Sequence, residues 1–214
     1  VRLSPFRKNY REAVSFNAIA REGDHRAMLL PTGAGEARPL DTGPVRPMRA
    51  LWFGDGRRVL LCGYEEEHTA RVYVLDPGRG VPEPITPEGW TFRGEPITTD
   101  QGTLLARRSD GQYARFPLAG GEPVPVEGLS PEDMPVRWSL TGDALYVMSR
   151  ERFPARLERL DLASGRREVI RELMPPDPAG VLSVLNVLLT PDASSYAYTH
   201  VRMLSDLFWA EDVG

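Results

Sequence analysis

Leu51-Trp52-Phe53-Gly54-Asp55-Gly56-Arg57-Arg58-Val59-Leu60-Leu61 is a pair of apolar runs joined by a short polar turn, and the arrangement returns three more times. The second copy is Thr98-Thr99-Asp100-Gln101-Gly102-Thr103-Leu104-Leu105-Ala106. The third is Trp138-Ser139-Leu140-Thr141-Gly142-Asp143-Ala144-Leu145-Tyr146-Val147, and the fourth is Leu189-Thr190-Pro191-Asp192-Ala193-Ser194-Ser195-Tyr196-Ala197-Tyr198. Aligned on Gly56, Gly102, Gly142 and Ala193, the copies lie 46, 40 and 51 residues apart. Trp52, Thr98, Trp138 and Leu189 then share one position before the turn, and Val59, Leu105, Leu145 and Tyr196 share one after it. Glycine supplies the positive φ of a tight hairpin turn, and apolar residues on its two sides can meet across the pair. Each copy therefore reads as strand, turn, strand.

Working outward, a third apolar run follows each of the first three hairpins: Val72-Tyr73-Val74-Leu75-Asp76, Tyr113-Ala114-Arg115-Phe116-Pro117-Leu118 and Leu157-Glu158-Arg159-Leu160-Asp161-Leu162. These close on Pro77-Gly78, Gly120-Gly121 and Ser164-Gly165, and a weaker fourth run such as Arg167-Glu168-Val169-Ile170 comes next. Four strands in roughly 40–45 residues is the period of a propeller blade. The expected fold is all-β: a β-propeller of four-stranded antiparallel blades, about four to five in this chain. Residues 48–86, 92–127 and 134–173 read as whole blades. Residues 15–42 read as the later strands of another, with Met28-Leu29-Leu30-Pro31-Thr32-Gly33 as its third strand and turn. Residues 184–214 read as three strands ending in Asp206-Leu207-Phe208-Trp209-Ala210. Two closures fit: a small five-bladed ring completed by the N-terminal strands, or the C-terminal part of a larger ring, and the second is preferred. The window from Asn9 to Glu22 comes nearest to a helical pattern, but no window carries a sustained, capped stripe. Residues 174–182, rich in proline, read as a loop between blades.

Composition excludes several classes. The chain has 214 residues, 41% of them hydrophobic, and a net charge of −4. A mild negative balance argues against nucleic-acid binding, which needs a basic face. No apolar run approaches the roughly 20 residues of a membrane span, and the longest, from Val181 to Leu189, is interrupted by Ser183 and Asn186. There is no signal-peptide pattern, and the chain begins at Val1, as a processed product or fragment would. Lys8 is the only lysine, a bias that fits a GC-rich genome. Cys62 is the single cysteine and sits in Val59-Leu60-Leu61-Cys62, so it reads as a buried, inert thiol. Twenty glycines and twenty prolines, clustered between the apolar runs, punctuate many turns.

No residue set carries catalytic chemistry. There is no Gly-x-Ser-x-Gly elbow and none of the protein-kinase motifs. His25, His68 and His200 stand at no metal-ligand spacing, so no metal site is expected. Glu65-Glu66-Glu67-His68 reads as a solvated loop between second and third strands. Gly33-Ala34-Gly35 lacks the lysine and helix of a phosphate loop and reads as a hairpin turn. Trp52 and Trp138 read as blade-to-blade packing, and Tyr196, Tyr198 and Trp209 as core. No cofactor is expected, and the ligand-binding residues are unassigned.

The repeats resemble the WD-repeat-like propellers with a Trp-x-Pro-Asp-Gly signature, as in TolB-like periplasmic proteins. The stretch from Arg137-Trp138 through Met174-Pro175-Pro176-Asp177-Pro178-Ala179-Gly180-Val181 to Tyr196-Ala197-Tyr198 and Leu204-Ser205-Asp206-Leu207 resembles the propeller that follows some bacterial serine/threonine kinases. The departures are Trp52-Phe53-Gly54, which lacks the proline, Gln101 in place of the turn aspartate, and Ala193 in place of the glycine. The resemblance implies placement outside the cytoplasm. The expected function is a non-catalytic binding or sensing module for a protein, peptide or small ligand, on the loop face or in the central channel. It would serve as the sensor part of a larger bacterial signalling protein. One alternative is a propeller enzyme, a lyase or hydrolase with a site at the ring centre, which would need His, Arg and carboxylates on the innermost strands. Arg49-Ala50-Leu51-Trp52, Glu95-Pro96-Ile97-Thr98 and Val136-Arg137-Trp138 carry few such groups. The other alternative is a scaffold that forms homo-oligomers through exposed blade edges.

Overall fold

The computed structural model describes residues 12–17, 26–31, 33–149 and 153–205. The described residues form seventeen β-strands and no helix. The first sheet is β1 (Glu12–Asn17), β2 (Arg26–Pro31) and β3 (Arg38–Pro39). The second is β4 (Arg46–Trp52), β5 (Val59–Tyr64), β6 (Arg71–Leu75) and β7 (Glu83–Pro84). The third is β8 (Trp90–Thr91), β9 (Thr103–Arg108), β10 (Tyr113–Pro117) and β11 (Val124–Pro125). The fourth is β12 (Met134–Trp138), β13 (Ala144–Ser149), β14 (Ala155–Asp161) and β15 (Arg167–Leu173). The fifth is β16 (Val181–Leu189) and β17 (Tyr196–Arg202). Strand order follows chain order in every sheet, so each is a simple antiparallel meander. The Asn9 to Glu22 window holds β1, and the strand expected at residues 206–210 lies outside the described residues.

Backbone bonds set the sheets in register with one another. Leu40, Ile85 and Val126 donate to the carbonyls of Ala27, Val72 and Tyr113. Strands β1, β2 and β3 thus correspond to the second, third and fourth strands of the complete sheets. At the hairpins, the N–H groups of Phe53, Thr98, Ser139 and Thr190 donate to Arg58, Thr103, Ala144 and Ser195 at 2.8 to 2.9 Å. Gly56, Gln101, Gly142 and Ala193 close the same turns, with φ of 67°, 62°, 74° and 55°. The anchor of the second copy is therefore Gln101 and not Gly102. Ile97, not Thr98, matches Trp52, Trp138 and Leu189; Leu104, not Leu105, matches Val59, Leu145 and Tyr196. A one-residue slip sends every side chain of a strand to the opposite face, so the shift matters. Gln101 is held at its left-handed φ by its surroundings. Asp100 accepts from Thr98 Oγ1 at 2.5 Å and from Gly102 N at 3.0 Å, and Gln101 Oε1 accepts from Gly54 N of the preceding turn at 2.6 Å.

The core lies between consecutive sheets. Ala27, Leu29 and Leu40 of the first pack on Val59 and Leu75 of the second. Leu60, Cys62 and Val72 meet Trp90, Phe92, Leu104 and Phe116 of the third, with Trp90 edge-on to Phe116 at a centroid distance of 4.9 Å. Leu105 and Tyr113 meet Trp138, Leu145 and Leu160 of the fourth. Met148 and Leu157 meet Val184 and Leu189 of the fifth. Alternate residues of one strand thus serve two interfaces. That is why the sequence of β5, Val-Leu-Leu-Cys-Gly, is continuously buried where a one-sided strand would alternate.

Candidate functional site

The first strands of four sheets are all irregular at one level. In β4 the register shifts between Pro47 and Arg49, in β12 between Pro135 and Arg137, and in β16 between Val184 and Val187. In the third sheet, Thr91 to Ile97 opposes only Arg107 to Leu104, so β8 bulges widely before rejoining the ladder. Proline at two of these shifts is consistent with its missing N–H, which a bulge tolerates and a regular ladder does not. Gly94, at φ 62°, approaches the Pro135 carbonyl so closely that a Cβ there would lie 2.0 Å from the oxygen. The neighbouring Glu95 N–H donates to Val136 O at 3.2 Å.

Bulges re-aim side chains, and these four re-aim theirs into one cleft of about 180 Å³. Arg49 comes from β4, Arg93 from the β8 bulge, Met134 and Val136 from β12, and Leu185 and Asn186 from β16. Met134, Pro135, Val136, Leu185 and Val187 supply the apolar part of the wall, and two guanidinium ions and a carboxamide supply the polar groups. A concave apolar site with a few convergent polar groups is the usual form of a binding pocket. Just beyond it, Arg137 Nη2 pairs with Glu95 Oε2 at 2.9 Å, and its Nη1 donates to Leu189 O at 2.7 Å. That side chain joins the third, fourth and fifth sheets.

The residues singled out from sequence fall elsewhere. His68 Nδ1 lies 2.6 Å from Glu88 Oε1 on the surface, and His200 sits beside the Tyr198 ring at 6.4 Å. His25 and Trp209 lie outside the described residues. Glu65 accepts from Arg71 and Tyr73, which hold its carboxyl below the ordinary carboxylate range. Glu66 and Glu67 are exposed, and Gly33-Ala34-Gly35 lies in the connection from β2 to β3. Burial pushes the Cys62 thiol up to about 11. Trp138 is buried between the third and fourth sheets and donates to Pro96 O at 3.3 Å, while Trp52 packs half-buried between the first and second. Tyr198 flanks the fourth-to-fifth core, but Tyr196, expected as core, is 42% exposed and stacks on Tyr198. Among the described residues, no three His, Cys, Asp or Glu side chains gather as metal ligands. Sequence reading missed Arg49, Arg93 and Asn186 as neighbours. The available signal was Pro47-Met48-Arg49 and Pro135-Val136-Arg137, a proline inside an otherwise apolar first strand; Arg93 and Asn186 have no repeat partner to mark them.

No protein-family model matches the sequence, and no curated protein does. The structure is similar to TolB from Acinetobacter baumannii, with a TM-score of 0.63 at 11% identity, over 89% of this chain and 52% of that one. It is similar to a TolB from Agrobacterium tumefaciens, also at 0.63, with 14% identity over 90% of this chain and 78% of that one. A nidogen/laminin complex matches at 0.56, with 13% identity over 82% of this chain and 66% of that one. The chain thus spans about half the length of the first TolB. From the meander sheets, the cores between them and these likenesses together, the chain has the fold of a TolB-like β-propeller.

Proposed function

We propose that the chain is a non-catalytic binding module that receives an acidic segment of a partner protein in the cleft between its first strands. The observation that carries this is the convergence of Arg49, Arg93 and Asn186 from three sheets on one hollow whose wall also holds Met134, Val136 and Leu185. Two guanidinium ions favour a carboxylate-bearing guest, and the apolar walls reward the hydrophobic residues beside it. The resemblance of the later repeats to propellers that follow bacterial kinases supports a sensing role within a larger signalling protein. The test is photo-crosslinking: a light-activated residue replaces Leu185 at the cleft or, as control, Val81, which is exposed in the connection from β6 to β7 and lines no part of the cleft. A protein adduct formed at 185, absent at 81 and lost with Arg93→Glu, is the expected result. No adduct at 185, or the same adducts at both positions, refutes it.

A further inference from the structure

A second cleft lies between the third and fourth sheets on the side of the hairpin turns, with a volume of about 440 Å³. Its floor is Trp138, its polar lining includes Thr98, Thr103, Thr141 and Arg115, and Leu140, 59% exposed, stands at its lip. Pro135 borders the first cleft and Leu140 the second. The two hollows share no lining residue, although Val136 of the first and Trp138 of the second stand only two residues apart along β12.

Arg115 is the unusual member. Leu75, Phe116 and Leu160 occupy one ladder position, opposite Val59, Leu104 and Leu145. The preceding residues, Val74, Arg115 and Arg159, are therefore equivalent. Val74 packs against the core of the next interface, and Arg159 pairs with Asp143 at 3.1 Å. Arg115 has neither solution. The position that holds Asp143 in the fourth sheet holds Gly102 in the third, because Gln101 and Gly142 close equivalent turns. Arg115 is half-buried, and its guanidinium makes no hydrogen bond or ion pair among the described residues. Asp100, also at the cleft, is engaged instead by Thr98 Oγ1 and Gly102 N.

We propose that this cleft binds a carboxylate, which takes the place beside Arg115 that an internal aspartate takes beside Arg159. A planar guanidinium offers two parallel donors to a carboxylate, and of the lining threonines Thr103 can add a third, since Thr98 and Thr141 already give their hydroxyl protons to Asp100 and Asp143. The exposed Leu140 and the Trp138 ring favour an apolar group next to the acid.

The carboxylate has two possible sources, a free small acid or an acidic peptide. Succinate and a hexapeptide of alternating Glu and Leu are titrated against the whole chain, read by calorimetry and by the Trp138 indole N–H resonance. Binding that moves this resonance and weakens about tenfold or more in Arg115→Met is expected, since a charge-assisted hydrogen bond accounts for at least that factor. The double variant Asp100→Thr/Gly102→Asp copies the fourth-sheet turn and keeps Arg115; it also loses binding, because an internal acid now occupies the guanidinium. Response to succinate identifies the small-acid source, and response to the peptide alone identifies a protein segment. Arg93→Met leaves this binding unchanged, which separates it from the cleft between the first strands. If neither probe binds at millimolar concentration, if Arg115→Met binds as wild type, or if Arg93→Met abolishes the effect, the proposal is overturned.

Discussion

Replacing Arg167 with methionine tests whether the crossover from the third sheet to the fourth is fastened by charge. Arg167, on the outermost strand β15, reaches back to the loop that precedes β12. There Nη2 bonds Asp133 Oδ2 and Gly128 O, Nη1 bonds Glu158 Oε2 at 2.8 Å and Asp133 Oδ1 at 3.2 Å, and Nε bonds Gly128 O at 3.1 Å. The Asp133 side chain is 1% exposed and that of Glu158 12%. Methionine preserves the aliphatic stem and leaves two buried carboxylates facing each other. Removing one partner of a buried pair costs about 3–5 kcal/mol. Arg167 itself is 28% exposed and Asp133 keeps the Ser130 N–H at 2.6 Å, so the lower end, about 3 kcal/mol, is expected. For a domain of this size that is a fall in Tm of roughly 6–12 °C. Urea denaturation of the wild type, Arg167→Met, Asp133→Asn and the double variant measures it. The double variant should recover a kilocalorie or more relative to additivity. A loss below about 1 kcal/mol in Arg167→Met, or strict additivity in the cycle, would refute the reasoning.

Three further outcomes are expected. Ala193→Gly stabilises the chain by about 1 kcal/mol in urea denaturation, because Ala193 sits at φ 55° in a turn where two sister turns have glycine. Gly94→Ala destabilises by about 2–4 kcal/mol in the same assay, because the new Cβ meets the Pro135 carbonyl at 2.0 Å and φ is 62°. The Cys62 thiol is raised from 9.0 to about 11 in the folded chain, so the unfolded chain ionises first. The stability tied to that proton is whole below pH 9.0, declines as pH rises and is gone by about 11, a loss of roughly 2–3 kcal/mol. Denaturation midpoints between pH 8 and 10.5 should fall more steeply in the wild type than in Cys62→Ala.

The fold was legible because each hairpin pairs a turn with apolar residues at fixed distances, and four such units repeat. The register of the second unit was not. Gly102 is the natural candidate for a positive φ, yet Gln101 takes it, since Asp100 and the Gly54 N–H fix that turn through side-chain bonds no spacing rule contains. Tyr196 was misjudged for a related reason: its alternation matches buried residues of other sheets, but its exposure depends on what stands beside β17. The cleft between the first strands was the least legible. Its residues come from four sheets and are brought together by bulges, whose position follows from tertiary pairing and only partly from proline.

Arg137 has a consequence for how the molecule comes apart. In stacked repeats each unit touches only its neighbours, so loss of structure can travel one unit at a time. With one guanidinium Arg137 holds Glu95 of the third sheet and Leu189 of the fifth, so the fourth sheet's contacts with its two neighbours are coupled through a single side chain. The expected outcome is that sheets three to five open together, with the amide protons along β9, β13 and β16 exchanging with solvent at one rate; hydrogen exchange of the wild type against Arg137→Met measures it.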